Sequence, residues 1–275
     1  MRNRIVIILA FVLIAGILVG LLMFRPHASL VVNSDTVLRP RQSVQSLLRE
    51  AQGWEQKADF ISVKAIYQRL INDFSSHKEV SAWQKNLDEV NLKIIFSAVI
   101  ADGVSQAYEV QPLDSLTKIA RQFNTTVELI KKSNNLSSDR ITPGQKLKIW
   151  TGKFSVVVDK SQNTMALKSN DEIIKTYNVA TGTNNVTPVG KFKITMKLVN
   201  PTWYKAGAVV APDSPENILG TRWLGFDIAS YGIHGTTDPA SIGTQATAGC
   251  IRMVNAEVEE LYSLLPVGTE VTIVD

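Results

Sequence analysis

The stretch Tyr231–Met253, YGIHGTTDPASIGTQATAGCIRM, holds the only cysteine of the chain, Cys250, and one of its three histidines, His234. A thiol and an imidazole are what a cysteine acyl-transfer site needs: the imidazole takes a proton and the thiolate attacks a carbonyl. Gly232 and Gly235 flank the histidine, and Gly249 precedes the cysteine. Glycine lets backbone approach a substrate closely and lets amide N–H groups turn toward a developing oxyanion. The plainer reading is that a lone cysteine is a small buried hydrophobe.

Outward from this stretch the pattern has period two. Phe154, Val156 and Val158 alternate, as do Ile173, Lys175 and Tyr177 on an expected second strand. Thr187-Pro188-Val189-Gly190 turns into a further strand, and Leu224 to Ile233 reads as the strand that delivers His234. After Met253, Asn255 can cap a helix with Val258, Leu261, Tyr262 and Leu265 on one face. Pro266-Val267-Gly268 ends it, and Val271 and Ile273 suggest a closing strand. Many strands with one evident helix predict a mainly-β, sandwich-like domain over 153–275.

Toward the N-terminus the pattern changes twice. Residues 107–150 read as strand, helix, helix, strand: Tyr108 and Val110, then a helix capped by Asp114 or Ser115, a second capped by Thr126, and a strand with Leu147 and Ile149. Residues 97–107 look like a linker. Residues 43–96 show helical spacing, with Val44, Leu47, Leu48 and Ala51 as the first stripe and breaks at Gly53 and Ser75-Ser76. Three antiparallel helices are the simplest arrangement; the second, with Ala65, Tyr67 and a following DFSSHKEV, resembles a tetratricopeptide-type unit, and the segment is read either as a partner-binding spacer or as a self-packed stalk. Ile5 to Phe24 is an uncharged run of twenty residues, long enough as a helix to span roughly 30 Å of bilayer core. Residues 1–26 are therefore expected to be an uncleaved signal-anchor transmembrane helix, because a signal peptide has a shorter apolar region. Residues 27–42 look like a polar, irregular linker.

The chain has 275 residues, is 45% apolar and carries a formal net charge of +4, which makes no electrostatic case for nucleic acid. One cysteine excludes an intrachain disulfide, and three scattered histidines make no zinc site, so neither metal nor cofactor is expected.

Two resemblances sharpen this reading. YEVQPLDSLTKIARQF, Asn134-Asn135-Leu136 and Ile141-Thr142-Pro143-Gly144-Gln145-Lys146-Leu147-Lys148-Ile149 closely resemble a LysM domain. That implies binding to N-acetylglucosamine-containing glycans, chiefly peptidoglycan. Leu113 stands where the family usually has glycine, which implies a stiffer loop. The segment from Lys153 onward resembles an L,D-transpeptidase catalytic domain of the YkuD type. The motifs are Thr187-Pro188-x-Gly190-x-Phe192, Asn200-Pro201-Thr202-Trp203, Ile233-His234-Gly235-Thr236, Ser241-Ile242-Gly243 and Thr247-Ala248-Gly249-Cys250-Ile251-Arg252-Met253.

Position by position, the second resemblance implies Cys250 as nucleophile, His234 as its base and the Gly235 carbonyl as orienter of the ring. Backbone N–H groups near Gly249 and Cys250 would form the oxyanion hole, and Arg252 would order the site or hold a substrate carboxylate. Thr247, Trp203 and Tyr231 are the candidate substrate-binding residues; Trp203 and Trp223 also read simply as core or cleft wall. Ala248 departs from the histidine common at that position, and Thr247 from serine. A free thiol titrates near roughly 8.5, so the imidazole is expected to raise the thiolate fraction at neutral pH.

The combined expectation is a single-pass protein of the bacterial cytoplasmic membrane, its catalytic part extracytoplasmic, acting on peptidoglycan. Cys250 would form a thioester with a stem peptide, release D-Ala and pass the acyl group to an amine. An L,D-carboxypeptidase using water, and a non-catalytic LysM tether, stay open as alternatives.

Overall fold

The computed structural model describes residues 42–205 and 207–275. The expected membrane helix over 1–26 and most of the linker after it lie outside the described residues. Among those described, no helix is long and apolar enough to cross a membrane.

Three helices open the described chain: α1 (Val44–Gln56), α2 (Phe60–Asp73) and α3 (Val80–Phe96). Ser43 and Asp59 cap the first two by accepting the N–H groups of Ser46 and Ser62. The break expected at Gly53 is absent, because α1 runs through it to Gln56. Leu47, Ala51, Ile66, Leu70 and Trp83 form the core between the helices. The other side of α3 is also buried: Val90, Leu92, Ile94 and Ile95 join the main core of the β domain. Asn91 Nδ2 donates to the Ile174 carbonyl at 3.0 Å and the Thr176 N–H to Asp88 at 3.2 Å. The helical segment thus packs on itself and is also built onto the β domain.

Next come β1 (Ser105–Glu109), α4 (Leu116–Gln122), α5 (Val127–Ser133) and β2 (Lys146–Trp150). Strands β1 and β2 pair antiparallel. Strand β1 begins inside the segment expected as a linker. Ser115 and Thr126 cap the two helices as expected. Val110, Leu116, Ile119, Ile130, Leu147 and Ile149 fill a separate small core. This unit also docks. Thr126 Oγ1 donates to the Ser263 carbonyl, Lys132 Nζ to Ser263 Oγ at 2.8 Å, and Trp150 Nε1 to Ser169 Oγ at 3.2 Å.

The rest is mainly β, as expected. It comprises β3 (Phe154–Asp159), β4 (Thr164–Ser169), β5 (Glu172–Asn178), β6 (Thr181–Gly182), β7 (Gly190–Val199), β8 (Trp203–Lys205), β9 (Ala208–Val210), β10 (Arg222–Phe226), β11 (Gly232–His234), β12 (Gln245–Thr247), β13 (Ile251–Arg252), the helix α6 (Asn255–Leu264) and β14 (Glu270–Val274). Eight strands form one hydrogen-bonded series in the order β13-β11-β10-β7-β14-β3-β4-β5, not two separately bonded sheets. The division falls within β7. Its residues Gly190–Lys193 pair with β14, while Ile194–Val199 pair with β10. Helix α6 covers one face, with Val258, Leu261 and Leu264 packed among Leu224, Ile233 and Ile251.

Three local expectations are corrected. Ile173 does not point inward with Tyr177; it is 51% exposed while Ile174 and Tyr177 are buried, because a register shift opposite Leu167/Lys168 breaks the alternation. Leu224 to Ile233 is not one strand but a hairpin of β10 and β11, turning through Ser230 at φ +68°. Asn255 is not the cap of α6; Val254 holds that position, without a side-chain bond.

Candidate active site

His234 ends β11 and Cys250 immediately precedes β13, its parallel neighbour. Pairing sets the geometry. His234 lies opposite Trp223 on β10 and opposite Arg252 on β13, and Trp223 lies opposite Leu198 on β7. Leu198, Trp223, His234 and Arg252 thus form one lateral row across four strands. Side chains alternate between faces, so the next residues along, Leu224, Ile233 and Ile251, point the other way into the core under α6. The row faces a cavity of about 450 Å³, whose lining also includes Cys250, Thr247, Ala248, Trp203 and Met196.

His234 is 2% exposed. Its Nδ1 lies 2.6 Å from the Gly235 carbonyl oxygen. A carbonyl only accepts, so Nδ1 carries the proton and Nε2 is left as the basic nitrogen. Burial pulls the imidazole down to about 4; the Gly235 bond opposes this and the Arg252 charge adds to it. Burial also pushes the Cys250 thiol up, against the Gly232 backbone and Arg252. At neutral pH the resting pair is therefore thiol and neutral imidazole. This corrects the expectation of a raised resting thiolate fraction: in a poorly solvated pocket, separated charges are disfavoured.

Around the nucleophile, Gly249 has φ +128°, a left-handed value that suits glycine. A Cβ there would sit 2.6 Å from Cε1 of Tyr231. Tyr231 thus packs under the cysteine loop and does not line the cavity. Thr247 Oγ1 accepts the Gly249 N–H at 3.0 Å and donates to the Cys250 carbonyl at 2.7 Å, so its hydroxyl closes the turn. The Cys250 thiol lies 3.4 Å from the Ser230 carbonyl oxygen. Arg252 is largely buried; Nη1 donates to Ser241 Oγ at 2.9 Å, while Nε is buried without a partner. Trp203 is half-buried on the cavity wall.

Two residues with other readings in the sequence, Asn255 as a helix cap and Trp223 as core or cleft wall, contribute here. Asn255 Oδ1 accepts the N–H groups of Thr236 at 3.0 Å and Thr221 at 3.3 Å, and its Nδ2 donates to the Thr236 carbonyl at 2.9 Å. It clamps the loop leaving His234. Trp223 stacks on the imidazole, with centroids 6.0 Å apart and planes at 18°. The only available signal for Trp223 was the pair of glycines, Gly225 and Gly232, that make room for its ring. No group of three or more His, Cys, Asp or Glu side chains suited to a metal occurs among the described residues.

Residues 153–273 match the family model described as the L,D-transpeptidase catalytic domain, and residues 108–150 match the LysM domain. A Bacillus subtilis (strain 168) protein named "Putative L,D-transpeptidase YqjB" is 43% identical over 44% of this chain and 70% of its own length. "Putative L,D-transpeptidase YkuD" of the same organism is 35% identical over 60% of this chain and 97% of its own length. Among solved structures, an L,D-transpeptidase from Mycobacterium smegmatis is 18% identical over 48% of this chain and 64% of that one, with a TM-score of 0.38.

Proposed function

This chain belongs to the L,D-transpeptidase family, with a LysM domain ahead of its catalytic domain, and from that premise we propose that Cys250 and His234 perform the family's cysteine acyl transfer on peptidoglycan stem peptides. The observation that carries the reading is the shared cavity, with Nδ1 of His234 engaged by Gly235 so that Nε2 serves as base.

His234 Nε2 takes the Cys250 proton as sulfur attacks the carbonyl of the third stem residue. The Gly249 N–H is committed to Thr247, so the Cys250 N–H is the backbone donor proposed for the oxyanion. The protonated imidazole gives its proton to the departing D-Ala amine, leaving a thioester. An acceptor amine then attacks, with His234 again as base. Because the resting pair is neutral, proton transfer accompanies attack. Arg252, tied to Ser241, holds the wall beside His234.

The LysM unit is proposed to bind glycan strands of the same polymer. The apolar run Ile5–Phe24 supports a membrane anchor that places both units outside the cytoplasm. Incubating the full chain with disaccharide-tetrapeptide and reading products by mass spectrometry tests the reaction. Dimers joined through third-position residues establish transfer, tripeptide alone establishes hydrolysis, and no turnover by a folded protein refutes catalysis. Protease accessibility of the C-terminal part in intact cells tests the topology.

A further inference from the structure

We propose that Trp223 is a positioning residue for the reaction: its indole fixes the plane of the His234 imidazole and walls that ring from water. The proposal rests on the reading of His234 as the base.

One hydrogen bond at Nδ1 aims that nitrogen but leaves the ring free to tilt about the bond. A flat neighbour on one face removes that freedom, and Trp223 supplies it from the paired position on β10. The separation and angle are those of an offset stack. The indole is itself held in place. A Cβ on Gly225 would lie 2.7 Å from its Nε1, and one on Gly232 would lie 2.9 Å from its Cζ2. These two glycines face each other across β10 and β11. Two adjacent strands thus each give up a side chain, and one indole fills the gap they leave. Leu198 on β7 is the cross-strand neighbour of Trp223 on its other side.

The charged and titratable groups around the imidazole are Arg252 on β13 and Cys250 just before it. On this face β10 brings the indole, and α6 packs behind the sheet. An aromatic face attracts a cation, which would favour imidazolium. The net shift is nonetheless downward because burial dominates. Removing the indole therefore admits water and moves the titration of His234 up toward the ordinary range of histidine.

The test uses the full chain with Trp223→Phe, Trp223→Leu and Gly225→Ala. Phenylalanine keeps a flat face, leucine keeps apolar bulk without one, and alanine at 225, whose Cβ meets only the indole at close range, pushes the ring aside. Two readouts need no wall substrate: the titration of His234 by NMR, and the pH profile of Cys250 alkylation by iodoacetamide. In the leucine and alanine variants the His234 midpoint should rise by about one pH unit or more. Their alkylation profile should move to lower pH, because admitted water also relieves the burial that holds the Cys250 thiol up, and phenylalanine should keep the original profile. If leucine matches phenylalanine in both readouts, Trp223 is only packing and the proposal falls. If His234→Ala alkylates like the unsubstituted protein, the base reading fails and takes this proposal with it. D-Ala release by the unsubstituted protein then shows separately whether acyl transfer occurs by another base.

Discussion

The ammonium of Lys148 donates to the carbonyl of Ser97 at 2.7 Å, across 51 residues of sequence. The same Nζ reaches the carbonyls of Ile94 and Ile95, so this 3% exposed lysine caps the last turn of α3 from within β2. Helix C-termini carry unsatisfied carbonyls and partial negative charge, which a cation satisfies. Lys148→Met should lower stability by about 1–3 kcal/mol, since it strands buried acceptors. Urea unfolding checks this, and it should also show looser docking of the LysM unit as faster amide exchange in α3.

His234, held down to about 4 in the fold, should place the acid limb of acylation near that value instead of near 6.5. The same shift enters stability. The unfolded chain binds a proton on this histidine near pH 6.5 and the folded one does not until about 4. Stability should therefore be full above 6.5 and fall as pH drops through that window. A His234→Gln variant should lose that part of the pH dependence in a denaturation series.

Thr247→Val removes the hydroxyl that joins the Gly249 N–H to the Cys250 carbonyl. Loss of about 1–3 kcal/mol is expected, with slower Cys250 alkylation as the loop loosens. Thr247→Ser should retain both, because only the hydroxyl is used. Thermal unfolding and alkylation rates decide it.

Asn255→Ala frees two backbone N–H groups and one carbonyl beside His234. Gly220 and Gly235 would each drive a Cβ within 2.2 Å of the Asn255 Oδ1, so this amide sits in a cradle with no slack. The expected cost is about 1–3 kcal/mol, with acylation falling further than stability alone explains. D-Ala release from the folded variant measures it.

Leu113 has φ +68° and is 95% exposed. A side chain strains this left-handed backbone and glycine does not. The Asp114 carboxylate holds the loop, accepting from the Tyr108 hydroxyl at 2.6 Å and the Gln111 N–H at 2.9 Å. Leu113→Gly should stabilise the chain by up to about 1 kcal/mol, the relief exceeding the added freedom of the unfolded chain. A lower urea midpoint would contradict this.

Much of the local structure was legible. Ser115 and Thr126 announce their helices because a hydroxyl three residues before a free N–H is a local event. Strand β4 was missed, although Met165 and Leu167 alternate, because two apolar residues among polar ones carry little signal. Its bounding turns at Asn163 and Asn170 show their left-handed conformation only in the fold. Asn255 was readable as a helix-start residue, but its amide bonds to Thr221 and Thr236 instead.

What the sequence by itself determined was the chemistry: one thiol, one nearby histidine, glycines around both, and the order of a helical unit, a βααβ unit and a β domain. Those follow from residue type and short-range periodicity. What only the tertiary structure decided was how the groups act together. Cross-strand register set Trp223 and Arg252 on either side of His234. Burial left the thiol and imidazole neutral at rest. Docking turned Lys148 from a strand residue into the cap of a distant helix. Register, burial and docking depend on residues far apart in the chain, and no local pattern encodes their meeting.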